Sequence, residues 1–207
     1  MIDLDKEVFK LKNMNSIYFN IENLYYPADP ERYNKYLTKY IFKYYSDLNL
    51  LNKCCIEKNL NNNNFFAGIY YAEECAKQEP SCIIPKRKTL YDEMVCIHEL
   101  THLVSKLNYN MDVYSKYKEI IPFFNEYDYL KSIHEFYAEQ YEIFRLNQAI
   151  KAAKNLDNEN KELVNPYIIA YLILKNRMNN YNINTLNKIN SSKWDLEKKL
   201  IKKGYTI

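Results

Sequence analysis

The sequence predicts an α+β fold, mostly helical, with a small mixed sheet and two core helices, and three observations lead there. Apolar residues recur at helical spacing over long segments, as in the run from Tyr127 to Asn155. Two short runs, "FFAGIYYAEE" and "CIIPKR", have strand composition, and the first follows the polar loop "NLNNNN". Only two glycines, Gly68 and Gly204, leave little room for glycine-rich turns. A chain of 207 residues is long enough for one sizeable core and short for two. We therefore expect residues 1–155 to form the principal domain and 156–207 a helical extension packed on it.

Each element has a local reason. "SIYFNI", Ser16 to Ile21, alternates well enough for a first strand. Asp29 and Pro30 read as an N-cap and first helical position, and the helix they open should bury Tyr33, Tyr36, Leu37, Tyr40, Ile41 and Tyr44. Gly68 inside the next strand marks a bulge or a close backbone approach. Thr89 with Asp92 three residues on resembles a capping box, so a helix should start near Leu90. Beyond Pro122 the pattern "YDYLKSIHEFYAEQYEIFRLNQAIKAAKN" reads as one long helix, with apolar Leu130, Ile133, Tyr137, Ala138, Tyr141 and Phe144. Two further helices are expected near 166–177 and 192–203, the last closed by Gly204, and the apolar "YIIAYLIL" should pack as core.

Composition excludes several classes. Hydrophobic residues at 47% and charged ones at 27% are globular values, so the chain should fold. A net charge of +3 is too small to imply a nucleic-acid partner, and the lysines Lys193, Lys198, Lys199, Lys202 and Lys203 read as a solvated helix face. The scarcity of glycine argues against a phosphate-binding loop. Five cysteines without CxxC spacing fit neither a disulfide framework nor a thiolate zinc site. The N-terminus has no continuous apolar stretch of a signal peptide, and no run approaches a membrane span. The expectation is a cytoplasmic protein with no membrane partner; the sequence does not speak to its oligomeric state.

The stretch "MVCIHELTHLVS" carries the chemistry. On a helix, His98-Glu99-x-x-His102 stacks both imidazoles on one face, the geometry that two ligands of a tetrahedral zinc require. The flanking Val95, Cys96, Ile97, Leu100, Leu103 and Val104 are uncharged, as a buried active-site helix demands. A catalytic zinc usually takes three protein ligands and leaves a fourth position for water, so a third must come from elsewhere. Cys96 lies nearly opposite His98 on the helix and is a poor candidate. The extended HExxHxxGxxH pattern fails at Ser105, which leaves the segment "SIHEFYAEQYE" with His134, Glu135, Glu139 and Glu142.

HELTH followed downstream by Glu-x-x-Ala-Glu resembles the gluzincin class of zinc metallopeptidases. Within that class "EFYAEQYEIFRL" is most similar to the glutamate helix of the anthrax lethal factor-like catalytic domain, and less so to the intracellular peptidases that cleave phage-type repressors. The resemblance spans roughly Phe65 to Leu146, and its specific content lies in two helices. It implies a zincin-like fold binding one Zn2+ per chain, with His98, His102 and Glu135 as ligands, Glu99 as general base and Glu139 as the acid orienting a ligating imidazole. His134 is the rival to Glu135. The family's oxyanion-stabilising tyrosine falls in register on Asp128, so Tyr127 and Tyr129 on either side are both candidates.

On this reading the activity is peptide-bond hydrolysis by a zinc-activated water, with a peptide or protein as substrate. Substrate in such folds pairs with a strand edge, for which Gly68, Ile69 and Tyr70 are the candidates. Glu73 and Glu74 would favour basic substrate residues or guard the edge against aggregation. Two other classes compete. A catalytically silent zinc-binding domain, such as a phage-encoded accessory protein, would keep the ligands but has no need of Glu99. A helical interaction protein would make HELTH accidental.

Overall fold

The computed structural model describes residues 4–41, 55–58, 68–70, 81–109, 118–156 and 166–177. Among them the chain is mostly helical with one small sheet, as the α+β expectation holds. It divides into two compact units, Ile21–Asn108 and Met1–Asn20 with Tyr109–Ile207. The expected helix near 192–203, the Asn59–Asn64 loop, the side chains of Tyr40, Ile41 and Tyr44, and Glu73 and Glu74 lie outside the described residues or side chains.

The other unit contains α1 (Leu4–Lys12), and the unit Ile21–Asn108 contains α2 (Pro30–Tyr36), the strands β1 (Cys55–Lys58), β2 (Gly68–Tyr70) and β3 (Ser81–Pro85), and the helix α3 (Leu90–Tyr109). Asp29 caps α2 as expected: its carboxylate accepts from the backbone N–H groups of Glu31 and Arg32, and Pro30 takes the first helical position. Tyr33, Tyr36 and Leu37 are buried, and the chain continues as a π-helical turn over Leu37–Ile41. The sheet is mixed, in the order β1-β3-β2, with β3 parallel to β1 and antiparallel to β2.

The start of α3 is fixed by the expected capping box. The Asp92 carboxylate accepts from the Thr89 N–H at 2.9 Å, and Thr89 Oγ1 accepts from the Asp92 N–H at 3.2 Å. The preceding chain is sewn to it: the Leu90 N–H donates to the Tyr26 carbonyl at 2.7 Å and the Ala28 N–H to that of Lys88 at 3.1 Å. Glu93, fully buried, accepts from Arg32 at 3.0 Å and from the Asp29 N–H at 2.7 Å, which ties α2 to the first turn of α3. A buried carboxylate is tolerable because both partners are supplied.

The other unit is built from α1 (Leu4–Lys12), α4 (Ile120–Ile133), α5 (Glu135–Lys154) and α6 (Pro166–Arg177). Here two expectations are corrected. Ser16–Asn20 is not a strand: the Ile17 backbone bonds to the Asn147 side chain through both its N–H (2.9 Å) and its carbonyl (2.8 Å), Phe19 packs on the Phe144 ring, and Tyr18 is 87% exposed. One side-chain amide thus takes the hydrogen bonds that a ladder would have taken.

The long pattern from Tyr127 to Asn155 is not one helix either. It breaks at His134, whose backbone is extended (φ −165°, ψ 143°) and whose Nδ1 accepts from the Phe136 N–H at 3.1 Å, so the imidazole ends α4 and caps α5. Pro122 falls in the first turn of α4, where its missing N–H costs no helical bond.

The core of this unit holds a buried polar cluster. On α4, Glu126 accepts from Arg145 and, at 2.5 Å, from the Tyr141 hydroxyl, both on α5. Arg145 Nε donates to the Tyr141 oxygen at 3.0 Å, Nη1 donates to Gln148 at 2.6 Å, and the guanidinium lies 4.0 Å from the Phe123 ring centroid. Burial pushes the Tyr141 phenol well above its ordinary value. Burial alone would lower Arg145, but the Glu126 carboxylate more than offsets it and the guanidinium stays charged. As expected, "YIIAYLIL" is core: Ile168 to Leu174 are all buried along α6, which packs on α4 and α5.

Candidate metal centre

His98 and His102 project from the middle of α3 on one face. Their Nε2 atoms lie 3.1 Å apart, with ring centroids 4.7 Å apart and planes inclined at 74°. Two nitrogens each about 2.0–2.1 Å from a tetrahedral ion stand roughly 3.3 Å apart, so this pair needs little adjustment to share one metal. The helix around them is buried, with Met94, Cys96, Ile97, Leu100 and Leu103 at 4% exposure or less. His98 and Glu99 are buried and His102 half-buried. Thr101 Oγ1 donates back to the Ile97 carbonyl at 2.7 Å, keeping its hydroxyl engaged within the helix. Cys96 donates its thiol to the Pro85 carbonyl at 3.4 Å, which binds α3 to β3 and occupies that sulfur.

Two imidazoles at this spacing offer two donors of a set that suits zinc without excluding other divalent ions. Glu119 is buried, directly before the first residue of α4, with the Lys118 ammonium 3.8 Å from its Oε1.

The residues expected from the glutamate helix lie elsewhere in character. Glu135 opens α5, has a 57% exposed side chain, and pairs with Lys131 Nζ at 3.2 Å. Glu139, one turn on, is exposed, as is His134, which serves as the α5 cap. The two candidate tyrosines differ clearly. Tyr129 is fully buried, whereas the Tyr127 phenol accepts from Lys131 at 3.4 Å and is raised by burial, with Lys131 opposing and Glu142 and Glu135 adding to the rise. Burial also raises the Glu142 carboxyl. Tyr127, Lys131, Glu135 and Glu142 therefore form one electrostatic neighbourhood.

Gly68, Ile69 and Tyr70 do form a strand. β2 is antiparallel to β3, pairing Gly68 with Ile83 and Tyr70 with Ser81, and it is an outer strand of the described sheet. Comparison with family models, with curated proteins and with solved structures finds no match for this chain. Among the described residues, no helix is long and apolar enough to cross a membrane.

Proposed function

We propose that this chain is a zinc-dependent peptidase of zincin-like architecture, with His98 and His102 as metal ligands and Glu99 as general base. The observation that carries the reading is the facing pair of imidazole nitrogens, 3.1 Å apart on a buried helix, with a carboxylate at the intervening position of HELTH. The gluzincin resemblance names Glu135 as the third ligand, with Glu139 behind it. Zinc held there would supply a Lewis acid that acidifies a bound water and polarises a carbonyl. Glu99 would take the proton of the attacking water and return it to the leaving amine, so no covalent intermediate forms. Tyr127 or Tyr129 would donate a hydrogen bond to a developing oxyanion, as the resemblance implies. An extended peptide would add to the edge of β2 at Gly68–Tyr70.

The test is elemental analysis of the dialysed protein together with cleavage of fluorescein-labelled casein. One zinc per chain is expected in the wild type and none in His102→Ala. Glu99→Gln should keep the metal and lose cleavage. Loss of zinc in Glu135→Ala supports the ligand set of the resemblance, and its retention refutes Glu135 as the third ligand. A wild type that takes up no zinc, even when it is added back, sinks the reading.

A further inference from the structure

We infer that the groove between the C-terminal half of α5 and the segment after α1 is a binding site for a small amphiphilic anion, a carboxylate or phosphate head on a short apolar body. The inference does not depend on the metal centre. The groove has a volume of about 440 Å³, within the range of roughly 300–1,000 Å³ that small-molecule sites occupy. Ser16 forms one wall; Phe144, Gln148, Ile150, Lys151 and Lys154 line the other. Both walls are fixed. The Asn147 amide clamps the Ile17 backbone through its N–H at 2.9 Å and its carbonyl at 2.8 Å, and the Phe19 and Phe144 rings pack with centroids 5.5 Å apart.

The lining selects the sign of the ligand. Lys151 and Lys154 are three residues apart, so they share a helix face, and both are exposed. They are the charged residues of the lining, and no acid occurs between Glu142 and Asp157. Among the described residues neither ammonium is engaged by an ion pair. Lysines in a last helical turn often donate to its open carbonyls, but other donors fill that role here. The Lys151 carbonyl accepts from the Asn155 N–H and the Ala153 carbonyl from the Leu156 N–H, each at 3.2 Å, while Lys12 donates to the Leu156 carbonyl at 2.8 Å. Gln148 adds a third donor: its Oε1 accepts from Arg145 at 2.6 Å, which leaves its NH2 group for a ligand. Three donor groups beside the apolar Phe144 and Ile150 fit an anionic head with an apolar tail.

The test is calorimetric titration of the full chain with octanoate, octyl phosphate and octanol, below their micelle concentrations. Saturable one-to-one binding of octanoate or octyl phosphate is expected, the tighter of the two identifying the head group. The double variant Lys151→Gln, Lys154→Gln, altered only at exposed positions, should bind the anion at least about tenfold more weakly, the scale of one lost charge-assisted hydrogen bond. Ser16→Phe, which fills the groove from the opposite wall, should weaken it as well. Three results overturn the inference: no saturable binding of either anion by the wild type, octanol bound as tightly as the anions, or anion binding that both variants leave unchanged.

Discussion

Replacing Arg145 by methionine removes the cation paired with the buried Glu126 carboxylate, while keeping an apolar side chain of similar reach. In the wild type Glu126 is 1% exposed and accepts from Arg145 and Tyr141; in the variant the Tyr141 hydroxyl at 2.5 Å is what remains of that pair. Breaking a buried ion pair from one side costs about 3–5 kcal/mol, because the surviving charge is left uncompensated. That is a large part of the roughly 5–15 kcal/mol by which folded domains are stable. The assay is urea unfolding followed by circular dichroism on the wild type, Arg145→Met, Glu126→Gln and the double variant. The double variant should be more stable than the sum of the single losses predicts, since no lone charge is then buried. A loss below about 1 kcal/mol for Arg145→Met, or single losses that simply add to within about 0.5 kcal/mol, would refute the argument that this cluster is one coupled unit.

Three further outcomes are expected. Asp92→Ala, which opens the capping box at the start of α3, should destabilise by about 1 kcal/mol in the same unfolding assay and leave zinc content unchanged. Burial, with lesser contributions from Glu142 and Glu7, pushes the Tyr171 phenol up to about 12 from 10.0, and the side chain is 6% exposed. A folded-state value above the unfolded one gives stability that is present below pH 10 and lost as pH rises towards 12, about 3 kcal/mol at about 1.4 kcal/mol per unit; Tyr171→Phe should flatten that alkaline decline, and an unchanged profile would count against it. Ala138 is fully buried on α5 and leaves no room for a larger side chain, so Ala138→Leu should cost about 1–3 kcal/mol by overpacking, read in the same unfolding assay.

Local signals were legible wherever the chemistry was local. The Asp29-Pro30 start of α2, the Thr89–Asp92 box and the stacking of His98 over His102 each depend on residues no more than four apart, and backbone geometry then dictates the outcome. The apolar run in α6 was equally readable, because a helix that is hydrophobic on every side has no stable place but a core. "SIYFNI" failed for the opposite reason. Its alternation is real, but the hydrogen-bond partner of Ile17 is Asn147, 130 residues away, and no period in the segment announces it.

The sequence by itself determined most of the helical segments, two of the three strands of the small sheet, and the stacking of two imidazoles on one helix face, but not β1 (Cys55–Lys58). Tertiary structure decided which acids are buried and which are spent on the surface. Glu119 and Glu126 sit in the interior while Glu135 and Glu139 face solvent, though all four occur in similar helical surroundings in the sequence. It also decided that His134 ends one helix and caps the next, and that Tyr127 meets Lys131 while Tyr129 is sealed away. The physical reason is that burial and partnership of a charge are set by what packs against it from distant parts of the chain, and helical periodicity fixes only the face from which it starts.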